Sequence, residues 1–183
     1  MQSFRRYYDR LLEVIAFVLM VLVTLIVVAG VIFRWMGHAL VWYDEVAAIS
    51  LAWLTYYVAA LAALRGAHLG FAGFVNSLSA RWRVIATFAS SFISIGFFVV
   101  LGIAGYHVMQ VISGLTLVSL PDVQQSWASS AIPIGSALFV IAELLRLPDA
   151  IAEARRGPLM DVEVKEALEE AGALPAANGE TTR

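Results

Sequence analysis

Cysteine is absent from the 183 residues. That excludes a disulfide framework, a thiolate-bound metal and an iron–sulfur cluster. Charge is scarce as well. Asp, Glu, Lys and Arg make up 14% of the chain, against about 25% in an average soluble domain. Neither a P-loop nor G-x-G-x-x-G occurs. No basic domain suits nucleic acid. What is abundant is apolar: 61% of residues, with a mean hydropathy of +0.81. A soluble domain of this size has too much surface for its volume to bury so many apolar side chains. A soluble enzyme or soluble binding domain is therefore disfavoured.

The few charges mark where uncharged runs begin and end. Twenty uncharged residues lie between Glu13 and Arg34, nineteen between Glu45 and Arg65, and twenty between Asp122 and Glu143. Each covers the roughly 30 Å hydrocarbon core at about 1.5 Å per helical residue. The run after Arg83 is longer, and turns polar near Gln110, Ser113 and Ser119. A lone strand would leave its backbone unpaired in lipid, so the spans are helices. The expected fold is an all-α integral membrane protein with four transmembrane helices at about 12–33, 46–64, 84–110 and 126–145. Residues 1–156 form the membrane domain. Residues 157–183 carry six acids and two bases, and read as an acidic tail, disordered apart from a short helix near 161–170.

Basic residues set orientation. Arg5, Arg6 and Arg10 precede span 1. Arg65, Arg81 and Arg83 lie between spans 2 and 3, and five more follow span 4, leaving only Arg34 on the other side. The expectation is N-in and C-in, a multi-pass protein with both termini cytoplasmic. Between spans 2 and 3, Phe71, Phe74, Val75, Leu78 and Trp82 share one helical face, opposite Gly70, Gly73, Asn76, Ser77 and Arg81. This spacing predicts an amphipathic helix over about 69–82, lying in the membrane interface.

Small residues recur along the spans: Ala48, Ala52, Ala59 and Ala63; Gly102 and Gly105; Ala128, Ala131, Gly135 and Ala142. They allow close helix approach in lipid. The sequence leaves open whether that serves internal packing or docking of another subunit. Charges fall at the span ends, where a transporter would ordinarily carry an ionisable site within the membrane. Pro133, beside Gly135, predicts a kink in span 4. Arg34, Asp44 and Glu45 flank the outer ends of spans 1 and 2, so an Arg–carboxylate clamp is expected there. Trp35, Trp42 and Tyr43 read as an aromatic belt. His38, His68 and His107 keep a haem-bearing electron-transfer subunit as an alternative. A stand-alone small oligomeric transporter is another.

The order of these markers resembles the small permease (DctQ-like) subunit of tripartite ATP-independent periplasmic (TRAP) transporters. The segments that carry the resemblance are Val31-Ile32-Phe33-Arg34, Trp42-Tyr43-Asp44-Glu45, Trp53, Ala59-Ala60, Arg65-Gly66-Ala67-His68 and Ala131-Ile132-Pro133-Ile134-Gly135. It covers about residues 8–147. Gly70 and Ala72 depart from it, standing where the family often has a basic residue and an acid. The acidic tail lies outside the pattern. The resemblance implies a non-enzymatic membrane scaffold in the bacterial inner membrane, without a cofactor of its own. Its partners would be a large multi-span permease, which carries the substrate and sodium sites, and a periplasmic substrate-binding protein. The system would take up an organic acid by sodium symport. Arg34, Trp42, Asp44, Glu45, Arg65, His68, Pro133 and Gly135 are the candidate structural and partner-interface residues.

Overall fold

The computed structural model describes residues 2–66 and 79–156. Five helices follow in order: α1 (Gln2–Trp35), α2 (Tyr43–Arg65), α3 (Ala80–Val111), the single-turn α4 (Gln125–Ser129) and α5 (Ala131–Arg156). Four stretches are long and apolar enough to cross a membrane: Phe4–Trp35, Tyr43–Arg65, Arg81–Val111 and Gln125–Arg155. The expected all-α, four-span architecture is what the chain adopts.

The helices overrun the apolar stretches. α1 begins about ten residues before the expected span start, because Arg5, Asp9 and Glu13 find ionic partners and keep their turns helical. α5 continues past Glu143 to Arg156 and passes through Pro148. The sequence-predicted kink, Pro133, sits in the first turn of α5, where a missing N–H removes little. The break falls just before it, at Ser130 between α4 and α5.

The extensive helix contacts run in a row: α1 against α2, α2 against α5, and α5 against α3. The row comes together at the end that holds Tyr8 and Leu64. There Tyr8 and Leu12 of α1, Ala60, Ala63 and Leu64 of α2, and Phe139 and Ala142 of α5 form one buried cluster. Phe98 of α3 stacks on Phe139 with ring centroids 3.6 Å apart. The Tyr8 hydroxyl donates to the Leu138 carbonyl at 2.8 Å, so α1 also reaches α5. Towards the other end α1 keeps only a narrow contact stripe, and most of Phe17–Phe33 is exposed.

Glycines set how closely the helices approach. A methyl group on Gly135 would stand 2.3 Å from the Tyr56 side chain, and one on Gly105 2.5 Å from Ile132. The small residues at 102, 105, 131, 135 and 142 therefore serve internal seams, whereas Ala48 and Ala52 remain exposed on α2.

Candidate assembly surfaces at the two ends of the layer

At the end where α1 passes to α2, α1 stops in a Schellman motif. Gly37 is left-handed (φ 80°), its N–H donates to Arg34 O, and the His38 N–H donates to Phe33 O. The turn places Arg34 over the start of α2. Arg34 Nη2 donates to the Tyr43 hydroxyl at 2.7 Å, and its guanidinium carbon lies 5.8 Å from that ring's centroid. The ring rests on Gly30, one turn earlier, where a methyl group would collide with it. The clamp between α1 and α2 is thus Arg34 with Tyr43, in place of the Arg–carboxylate pair expected from sequence.

Glu45 is engaged elsewhere. Its two carboxylate oxygens accept the backbone N–H groups of Val118 at 3.1 Å and Ser119 at 2.7 Å. Those residues belong to a small hairpin between α3 and α4. A bridge pairs Thr116 with Gln124, and a turn over Leu120–Val123 has Pro121 at its second position. Glu45 therefore pins this hairpin to the first turn of α2, and Val118 stands beside it 93% exposed. Asp44, in the same first turn, is exposed, where a negative charge complements the helix N-terminus. Trp42 is the residue at which α2 begins, and its carbonyl accepts the Val46 N–H at 3.1 Å.

The opposite end is ionic. Arg65, in the last turn of α2, grips Asp9 through both nitrogen–oxygen contacts (2.9 and 3.1 Å) and reaches Glu13 at 3.1 Å. Arg5 pairs with Asp149 of α5 and also donates to the Leu64 carbonyl at 3.4 Å. Gly66 closes α2 in the left-handed conformation (φ 76°), under the Arg146 side chain. His68, Phe71, Phe74, Val75 and Leu78 lie outside the described residues, as do the tail from 157 and its expected helix. Trp82, assigned from sequence to the interfacial helix, belongs instead to the first turn of α3 and is exposed, because that helix already starts at Ala80.

One carboxyl group, near the end of the expected fourth span, is buried. Glu143 is 3% exposed, between α5 and α3, and takes a 2.6 Å hydrogen bond from the Ser91 hydroxyl. α5 runs on for three more turns, so Glu143 lies inside a helix rather than ending one. No sequence signal marks its pairing with Ser91, one serine among several in α3. Asp9 and Glu13 were more accessible to sequence reasoning: they sit four apart beside the buried Tyr8–Leu12–Ala16 stripe, on a helix antiparallel to the one that ends in Arg65.

Two open grooves follow the α3–α5 seam. One, of about 390 Å³, is lined by Phe98, Gly102, Pro133 and Ser136. The other, of about 460 Å³, is lined by Met109, Gln110, Trp127 and Ile134. Neither lining includes a titratable group. His38 lies in the α1–α2 connection and His107 on α3, and both are exposed. Among the described residues no group of three or more His, Asp or Glu side chains could hold a metal.

Residues 23–153 match the family model described as tripartite ATP-independent periplasmic transporters, DctQ component. The chain belongs to the DctQ family. A search of curated proteins finds no match. As a DctQ chain it is the small permease component of a TRAP transporter and a multi-pass membrane protein. The family is one of transporter components, not of enzymes. Pro133 and Gly135, which carried the resemblance in span 4, lie in the first turns of α5. There Gly135 admits Tyr56 of α2.

Proposed function

We propose that this DctQ chain is a non-catalytic scaffold in the bacterial inner membrane. It holds a large permease subunit in place for sodium-driven uptake of an organic acid delivered by a periplasmic binding protein. The supporting observation is the row of helices. Among the described residues the four spans pack mainly neighbour to neighbour, as a layer rather than a closed ring, and a solute pathway needs walls on all sides. The two grooves are open and lack titratable groups. Most of the apolar surface of α1 and α3 is unburied within this chain, which suits a protein that is completed by another. Substrate and sodium sites then belong to the large subunit, and this chain needs no cofactor of its own.

Both termini are cytoplasmic in this reading, because eleven of the twelve Lys and Arg residues fall on that side. The Arg34–Tyr43 clamp and the Glu45-held hairpin then face the periplasm. The Arg65–Asp9–Glu13 and Arg5–Asp149 pairs face the cytoplasm.

The test is co-expression with a large TRAP permease subunit from the same genome, followed by purification on a tag carried by this chain alone. Stoichiometric recovery of the permease is expected, with uptake in liposomes only when both are present together with the binding protein. Arg34→Ala and Glu45→Ala are expected to lower recovery of the complex without altering substrate preference. Uptake by this chain alone would overturn the scaffold reading. So would a change in substrate affinity with assembly intact.

A further inference from the structure

The side of α1 turned away from α2 carries two arginines that make no side-chain pair among the described residues. At about 100° per residue, the buried stripe of α1 (Tyr8, Leu12, Ala16 and Gly30) points one way. Arg6, Arg10, Phe17 and Val21 point the opposite way. Arg6 and Arg10 are exposed, and neither has an ion pair or side-chain hydrogen bond among the described residues. Their neighbours are all committed: Arg5 to Asp149, and Asp9 and Glu13 to Arg65. Two guanidinium groups one helical turn apart are thus without an ion pair among the described residues.

Along the same face Glu13, held by Arg65, stands beside Arg10, and beyond it the surface is apolar and exposed through Val14, Phe17 and Val21. From Arg10 to Val21 the rise is about 16 Å, half of a hydrocarbon core of about 30 Å. The face is cationic at its rim and apolar below, and the exposed apolar surface runs on past this leaflet through Leu25, Val28 and Ile32. We infer that Arg6 and Arg10 hold the phosphate of an anionic phospholipid whose acyl chains lie on Val14, Phe17 and Val21. The guanidinium fork suits phosphate oxygens, and paired basic residues beside a span attract anionic headgroups. A free phosphate would match the arginines but not the apolar strip. A neutral lipid would match the strip but leave the two charges uncompensated.

The test is native mass spectrometry of the full chain released from nanodiscs of mixed phosphatidylglycerol and phosphatidylcholine. Retained phosphatidylglycerol is expected in excess over phosphatidylcholine. The double variant Arg6→Gln/Arg10→Gln should lower relative phosphatidylglycerol affinity about thirtyfold, while Arg81→Gln, on α3, leaves it unchanged. An unchanged preference in the double variant would overturn the assignment. An equal loss in Arg81→Gln would show diffuse charge rather than a site, and also overturn it. Displacement of the lipid by inorganic phosphate at matched ionic strength would count against a role for the acyl chains. Loss of permease recovery in the double variant, with lipid preference intact, would assign the pair to a partner carboxylate. That outcome leaves the scaffold function standing.

Discussion

Replacing Gly135 by alanine adds one methyl group, at the tightest point of the α2–α5 seam. That methyl would stand 2.3 Å from Tyr56 Cβ and 2.6 Å from Cγ, whereas carbon atoms in contact sit about 3.5–4.0 Å apart. Tyr56 Cβ moves only with its backbone, so the two helices must part by more than about 1 Å. Overpacking of this kind costs about 1–3 kcal/mol. Three other glycines of α3 scale the effect. Gly105 would meet Ile132 Cγ2 at 2.5 Å, Gly102 would meet Ser136 Cβ at 3.1 Å, and Gly96 has open space. In helix interiors alanine is favoured over glycine by about 0.5–1 kcal/mol, so Gly96→Ala is neutral or stabilising and Gly102→Ala nearly neutral. Gly105→Ala and Gly135→Ala are destabilising. The difference between Gly135→Ala and Gly96→Ala should be about 2 kcal/mol, or about 4–8 °C in Tm for a chain of this size. Heating the detergent-solubilised protein and following the monodisperse fraction by size-exclusion chromatography measures it. If Gly135→Ala melts with Gly96→Ala, the seam is looser than described and the account of the small residues fails.

Two further outcomes concern the ends of the layer. Glu45→Ala removes the acceptor for Val118 and Ser119, so amide exchange at those two positions should speed up while exchange in the middle of α2 stays the same; unchanged exchange would free the hairpin from Glu45. A double-mutant cycle of Arg65→Ala and Asp9→Ala should give a coupling below about 1 kcal/mol in Tm-derived stability, because both side chains are partly exposed. A coupling well above that would show the pair to be shielded from water, against its partial exposure.

The four spans were legible because lipid leaves a backbone few options, and an uncharged run of about twenty residues has one stable form there. The ends of the helices were less so. Charged residues in water permit a helix but do not demand it, and α1 and α5 continue beyond their apolar runs where Arg5 meets Asp149, Asp9 and Glu13 meet Arg65, and Tyr8, Ala150 and Ala154 are buried. Arg34 illustrates the same limit. Its position at the end of α1 invited a carboxylate partner, and two lay nearby in sequence. The absence of a side chain at Gly30 opened room for the Tyr43 ring instead, and the hairpin's free N–H groups took Glu45. Such choices depend on which acceptors arrive at the same place, which local spacing does not encode.

By itself, then, the sequence determined the class of solvent, the number of crossings and the family, since each follows from composition and the order of a few markers along one chain. The tertiary structure decided the order of the helices in a row, the burial of Glu143 beside Ser91, and the separation of α1 into a packed face and one bearing Arg6 and Arg10. These are relations between segments far apart in the chain. They are set by the close approach that Gly102, Gly105 and Gly135 permit and by which polar groups must find partners where water is excluded.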